Sequence, residues 1–93
     1  MRLRWLPQAA DDLESIYEYL LENNPAFADS TVTRLYEGIR SLREMPYRGR
    51  PRSLPGVRDL IFFDLPYIVT YRVTSEAIEI LYIRHSARKP LPR

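Results

Sequence analysis

Seven arginines and the single histidine in the second half of the chain are the side chains able to act on an anion: Arg48, Arg50, Arg52, Arg58, Arg72, Arg84, His85 and Arg88. A metal-free ribonuclease needs a base for the 2′-hydroxyl proton, an acid for the leaving oxygen and cations around the pentavalent phosphate. His85 can serve as acid or base near neutral pH, with Arg72 and Arg88 holding the phosphate. Glu44 is the alternative base, but it falls at a helix end with no evident path to the others. A histidine beside an arginine at a strand end is also commonly a structural hydrogen-bonding residue. On that second reading Arg48, Arg50, Arg52, Arg58 and Arg84 form a surface that binds a target without reacting with it.

Other chemistries fall away. The chain has no cysteine, which removes thiol nucleophiles, disulfides and thiolate metal sites. Gly38, Gly49 and Gly56 are scattered and do not make a phosphate loop. One histidine does not make a metal site without converging carboxylates. A triad written with Ser75 or Ser86 has nothing to position it. No metal and no cofactor are expected, and an enzyme built on these residues would be a metal-independent nuclease.

The 93 residues predict one domain, 1–93, with a modest core. An apolar content of 45% argues against disorder. Basic Arg2 and Arg4 lead into Pro7, Asp11 and Asp12 instead of an apolar stretch, so no signal peptide is expected. No apolar run reaches the roughly 20 residues that cross a bilayer, so no membrane association is expected and the cytoplasm is the default compartment. The net charge of +2 hides an asymmetry. Residues 1–45 carry five Arg against eight acids, and residues 46–93 carry eight Arg and Lys89 against four acids. A basic second half suggests an anionic partner, either nucleic acid or an acidic peptide.

These residues must be positioned by a small α+β fold. Leu3 and Trp5 alternate with arginine in a short first strand. Pro7 can open a helix, and Leu13, Ile16, Tyr17, Leu20 and Leu21 recur at helical spacing. Asn23-Asn24-Pro25 breaks it, with Asn24 expected as a cap and Pro25 at the first helical position. A second helix runs to about Met45 on the stripe Val32, Leu35, Tyr36, Ile39 and Leu42. Pro46 to Gly56 is a loop, and Pro55-Gly56 fits a type II turn. Arg58–Phe63, Tyr67–Val73 and Ala77–His85 then read as strands joined by short turns. The predicted order is β-α-α-β-β-β, a helical hairpin packed on one face of a small antiparallel β-sheet.

Simple alternation along the last two strands leaves both sheet faces apolar, while two helices cover only one. Ile68, Leu81 and Ile83 are therefore expected on the uncovered face, and an exposed apolar patch commonly marks a partner site.

Seven segments together resemble the RelE/ParE toxins of type II toxin–antitoxin systems. Ala10-Asp11-Asp12-Leu13-Glu14-Ser15-Ile16-Tyr17-Glu18-Tyr19-Leu20 is similar to their first helix, and Asn24-Pro25 to its corner. Leu42-Arg43-Glu44-Met45-Pro46, Gly49-Arg50-Pro51 and Gly56-Val57-Arg58-Asp59-Leu60 follow in order. Pro66-Tyr67-Ile68-Val69-Thr70-Tyr71-Arg72-Val73 and Ile80-Leu81-Tyr82-Ile83-Arg84-His85-Ser86-Ala87-Arg88 complete a match over about residues 5–90. The resemblance implies the same fold, a cognate antitoxin that wraps the toxin, and a hetero-oligomer with it, with Ile68, Leu81 and Ile83 as antitoxin contacts. It also implies one of two activities. RelE-like members cleave mRNA on the ribosome with a set of Lys and Arg, whereas ParE-like members poison DNA gyrase. Lys89 is the only lysine, and Pro66-Tyr67 stands where nuclease members carry arginine, so the gyrase branch is expected. The alternatives are the ribosome-dependent endoribonuclease, with His85, Arg88 and Arg72 catalytic, and a non-catalytic antitoxin-binding module.

Overall fold

Pro7 has no N–H to leave unsatisfied in a first helical turn, and a helix starts there. The computed structural model describes residues 1–87. They form β1 (Arg2–Trp5), α1 (Pro7–Asn23), α2 (Ala28–Arg40), β2 (Arg50–Pro51), β3 (Val57–Ile61), β4 (Tyr67–Val73) and β5 (Ala77–His85). Short 3-10 turns at Pro25–Phe27 and Ser41–Arg43 flank α2. Asn24 closes α1 through its backbone, its N–H donating to the Leu20 carbonyl at 2.8 Å, and its side chain makes no cap. The second helix is shorter than expected, since the α turn ends at Arg40 and Leu42 is buried from the 3-10 turn after it.

The sheet order is β1-β5-β4-β3-β2. The α+β class and the helical hairpin on the sheet are as expected, but the sheet is mixed. β3, β4 and β5 are antiparallel neighbours, while β1 runs parallel to β5 with Trp5 opposite Ile80. The parallel pair follows from the path of the chain. The helical hairpin and the meander lie between the two strands, a crossover long enough for parallel pairing. The two-residue β2 adds an edge that the Pro-rich loop did not suggest.

Leu35 and Ile39 of α2, Leu42, and Leu60, Val69, Tyr71, Ile78 and Ile80 of the sheet form the core, all at most 2% exposed. Leu3, Trp5, Leu13 and Ile16 pack at its edge. Burying a side chain of this size contributes roughly 1.5–3 kcal/mol, so this layer holds the helices to the sheet. The loop before β3 is pinned from the core. The Tyr71 hydroxyl donates to the Pro46 carbonyl at 2.8 Å and accepts the Gly49 N–H at 2.9 Å. A Cβ on Gly49 would stand 2.6 Å from that hydroxyl, so only glycine lets the loop approach. Gly56 has φ of 76°, the left-handed conformation that a type II turn after Pro55 requires.

A β-bulge corrects the reading of the two faces. Tyr82 pairs with Thr70 and Ile80 with Tyr71, which leaves Leu81 as an extra residue in β5. An extra residue reverses the alternation beyond it. Ile83 consequently turns toward the helices and is 5% exposed within the core cluster, so its placement on the uncovered face is overturned. Ile68 and Leu81 are half-buried.

Candidate functional site

Reversed alternation also turns Tyr82 and Arg84 to the uncovered face. Arg4 of β1, Glu79, Tyr82 and Arg84 of β5, Thr70 and Arg72 of β4 and Asp59 of β3 share it. The face is largely polar, with Ile61 and Ile68, an opposed pair, in one corner and the buried Val57 opposite Arg72. Two carboxylates organise it. Glu79 takes Arg72 on Oε1 through Nη2 at 2.7 Å and Nε at 2.9 Å, and Arg4 on Oε2 at 3.6 Å. Asp59 takes Arg52 at 3.7 Å and Arg84 at 4.0 Å, and accepts the Thr70 hydroxyl at 2.6 Å. Arg52 also donates to the Tyr82 hydroxyl at 3.0 Å. That hydrogen bond, and after it the Asp59 charge, raise the Arg52 pKa above its ordinary value.

Two of the other expected target-binding residues, Arg58 and Arg48, lie apart. Arg58 donates to the Tyr47 and Gly49 carbonyls at 2.9 and 2.8 Å and covers the Tyr47 ring, so it clamps the loop. Arg48 hydrogen-bonds Ser41. Arg50 is exposed on the edge strand β2 opposite Asp59, and so borders the same face two residues before Arg52.

Two of the expected nuclease residues, His85 and Arg72, are not brought together. His85 sits opposite Tyr67 at one end of β4, while Arg72 lies five residues further on. At about 3.4 Å per residue the two are roughly 17 Å apart along the sheet, on opposite faces by alternation. The His85 ring meets the Tyr67 ring edge-on at 5.3 Å, and its Nδ1 accepts the Ala87 N–H at 3.1 Å. Arg88 lies outside the described residues. His85 does border a cleft of about 410 Å³ with Asp12, Ser15, Tyr19, Tyr67 and Arg84. Asp12 is already committed there, accepting the Ile83 N–H at 2.9 Å and the Gln8 side chain at 2.8 Å.

On the helical side an apolar groove of about 380 Å³ runs between the two helices, lined by Trp5, Leu13, Tyr17, Val32 and Tyr36 among others. Trp5 stacks on Tyr36 with ring centroids 6.2 Å apart and planes 17° apart. Among the described residues no group of three or more His, Cys, Asp or Glu converges on a metal position. No helix in this part of the chain is long and apolar enough to cross a membrane. Sequence reasoning missed Arg4, Glu79, Asp59 and the helical groove. The alternation Arg2-Leu3-Arg4-Trp5 does carry a signal for Arg4, but its place beside Arg72 depends on the parallel pairing.

A family model described as the ParE toxin of type II toxin–antitoxin system, parDE, matches residues 3–90. A Sinorhizobium fredii protein, Y4kP, whose name marks it as a candidate toxin, is 34% identical over 85 residues, 91% of this chain and 88% of that protein. Toxin RelE2 of Caulobacter vibrioides is 34% identical over 84 residues, 90% of this chain and 93% of its own. Among solved structures, a chain of the chromosomal ParDE system from P. aeruginosa superposes with a TM-score of 0.82 at 33% identity. That match covers 91% of this chain and 95% of the other.

Proposed function

Because the chain belongs to the ParE toxin family, and is thus the toxin of a type II toxin–antitoxin system, we propose that it acts as a binding poison of DNA gyrase and not as a nuclease. The observation that carries this reading is the separation of His85 from Arg72 by the length and thickness of the sheet. General acid–base catalysis requires groups within hydrogen-bond reach of the same reacting atoms, and these two do not share a site. The arginines instead spread over a surface, the arrangement suited to holding a large anionic or acidic target.

Arg50, Arg52 and Arg84 are the target contacts on this reading, with Arg48 at the margin and Arg58 supporting the loop. A cognate antitoxin neutralises the toxin in a hetero-oligomer. The apolar helical groove at Trp5 and Tyr36 supports antitoxin contact there, with Ile68 and Leu81 as further contacts. The cytoplasm, where gyrase acts, is the compartment.

The discriminating experiment incubates the purified toxin with gyrase and relaxed plasmid and, separately, with a translating ribosome extract. The expected result is blocked supercoiling or trapped gyrase–DNA breaks, with mRNA intact. Ribosome-dependent cuts in mRNA and normal supercoiling would replace this reading with the endoribonuclease one. Two relatives named RelE2 and RelE3 keep that second reading in view.

A further inference from the structure

The uncovered sheet face repeats one motif: a recessed carboxylate carrying two outward arginines. Glu79 is 14% exposed beneath Arg4 at 62% and Arg72 at 47%. Asp59 is 13% exposed beneath Arg52 and Arg84, both at 38%. Each trio has a net charge of +1. The carboxylates are shielded, and an approaching molecule meets guanidinium groups. One carboxylate cannot satisfy the five N–H donors of each of two guanidinium groups, so donors remain for a ligand in both trios. With about 3.4 Å per residue along a strand and 4.8 Å between strands, the two carboxylates are roughly 12 Å apart across the sheet. Between them lie the half-buried Tyr82 and the buried Thr70.

We propose that this face, through Arg4 and Arg72 on one trio and Arg52 and Arg84 on the other, binds the phosphate backbone of duplex DNA without regard to sequence. Two features favour DNA over an acidic peptide. All four cations are arginine, whose planar fork matches phosphate oxygens two at a time. The span between trios suits a ligand with closely repeated charge, and duplex DNA presents one per about 1.7 Å of axis. A bound peptide would want apolar anchors at the centre of its interface, whereas the exposed apolar surface of this face is the Ile61–Ile68 corner, since Val57 opposite Arg72 is only 7% exposed. The biological meaning rests on the gyrase reading, because a poison of the gyrase–DNA complex meets both components, with the sheet face turned to the DNA.

Fluorescence anisotropy tests the proposal, using a labelled duplex of arbitrary sequence titrated with the full-length chain over a series of potassium chloride concentrations. The slope of log affinity against log salt changes by about 0.9 for each phosphate contact removed. The Arg4→Gln/Arg84→Gln double variant takes one arginine from each trio, and its slope should be shallower by about 1.8. Arg4→Gln alone, at the most exposed of the four positions, should change it by about 0.9 and covers the case in which the double variant does not fold. Arg4→Lys/Arg84→Lys should keep the slope, as should Arg40→Gln/Arg43→Gln at the end of α2 and in the 3-10 turn after it. Absence of binding at the lowest salt, a slope indifferent to Arg4 and Arg84, an equal change in the Arg40/Arg43 variant, or tighter binding to poly-glutamate than to DNA would each overturn it. Supercoiling assays on the same proteins separate the two readings. Inhibition with no DNA binding leaves the gyrase reading standing and removes the DNA contact. Salt slopes that shift as expected, with supercoiling unaffected, do the reverse.

Discussion

The carboxylate of Asp12 in α1 accepts the backbone N–H of Ile83 in β5 at 2.9 Å, across 71 residues of chain. β1 ends beside Ile80, so beyond that point this edge of β5 has no strand neighbour. Asp12 supplies the acceptor that a longer β1 would have provided. An unsatisfied strand N–H costs about 1–3 kcal/mol, and Asp12→Ala should destabilise the protein by that amount. Asp12→Asn keeps an acceptor oxygen and should cost less. Urea denaturation of the three proteins checks the order, and equal midpoints would remove Asp12 from the fold's supports.

Tyr71 carries a pH dependence. Burial raises its pKa above the ordinary 10.0, against smaller opposing effects of the Gly49 N–H and of Arg58 and Arg48. The folded protein thus holds the phenolic proton more tightly than the unfolded chain does. The stability this contributes is fully present below about pH 10 and is lost as pH rises through the folded value. Tyr71→Phe should be less stable at neutral pH by about 1–3 kcal/mol, since the Pro46 carbonyl and Gly49 N–H lose their partner. Its stability should also fall less steeply above about pH 10. A decline parallel to the wild type would contradict this account.

The strands β4 and β5 were legible in the sequence to their end residues, because runs rich in Ile, Val and Tyr bounded by Pro66 and by Thr74-Ser75-Glu76 leave little choice of limits. The core was legible where one period holds throughout, as for Leu35, Ile39 and Leu42. Ile39→Ala should accordingly cost about 2–5 kcal/mol, read from the shift in denaturation midpoint. The bulge was not legible, since a run such as Glu79-Ile80-Leu81-Tyr82-Ile83 is apolar on both faces and does not reveal where alternation slips. That one residue moved Ile83 from the expected partner surface into the core and turned Arg84 to the open face. The parallel pairing of β1 was equally hidden, being a contact between the two ends of the chain. Of the candidate site, the residue types were legible and their separation was not. Distance between His85 and Arg72 depends on strand register, which composition does not encode.

Antitoxin binding should depend on the helical groove more than on the sheet face. Tyr36 is 47% exposed and stacks on Trp5, so a charge there should disturb a partner more than the fold. Tyr36→Asp should weaken antitoxin binding at least tenfold in calorimetry, whereas Arg72→Gln, at the end of the sheet face away from Ile68, should leave it nearly unchanged. The opposite order would move the antitoxin to the sheet.

Replacing His85 separates poison from nuclease most directly. In a nuclease the proton-transfer group contributes about 10²–10⁴-fold to rate, so His85→Ala would abolish mRNA cleavage and toxicity together. In a binding poison the contacts are spread out, and a residue outside the hot spot is worth about 1 kcal/mol or less. The structure gives His85 an edge contact with Tyr67 and a bond from the Ala87 N–H, both of which shape the end of β5. The expected outcome for His85→Ala is therefore a small loss of stability and toxicity reduced by several fold. Arg52→Glu in the Asp59 trio should reduce toxicity more, because it places a second carboxylate beside the first. Both are read from growth of cells expressing the toxin without its antitoxin, alongside supercoiling by purified gyrase. Full loss of toxicity in a stably folded His85→Ala protein, with Arg52→Glu still toxic, would make the histidine cleft the active site and the sheet face a bystander.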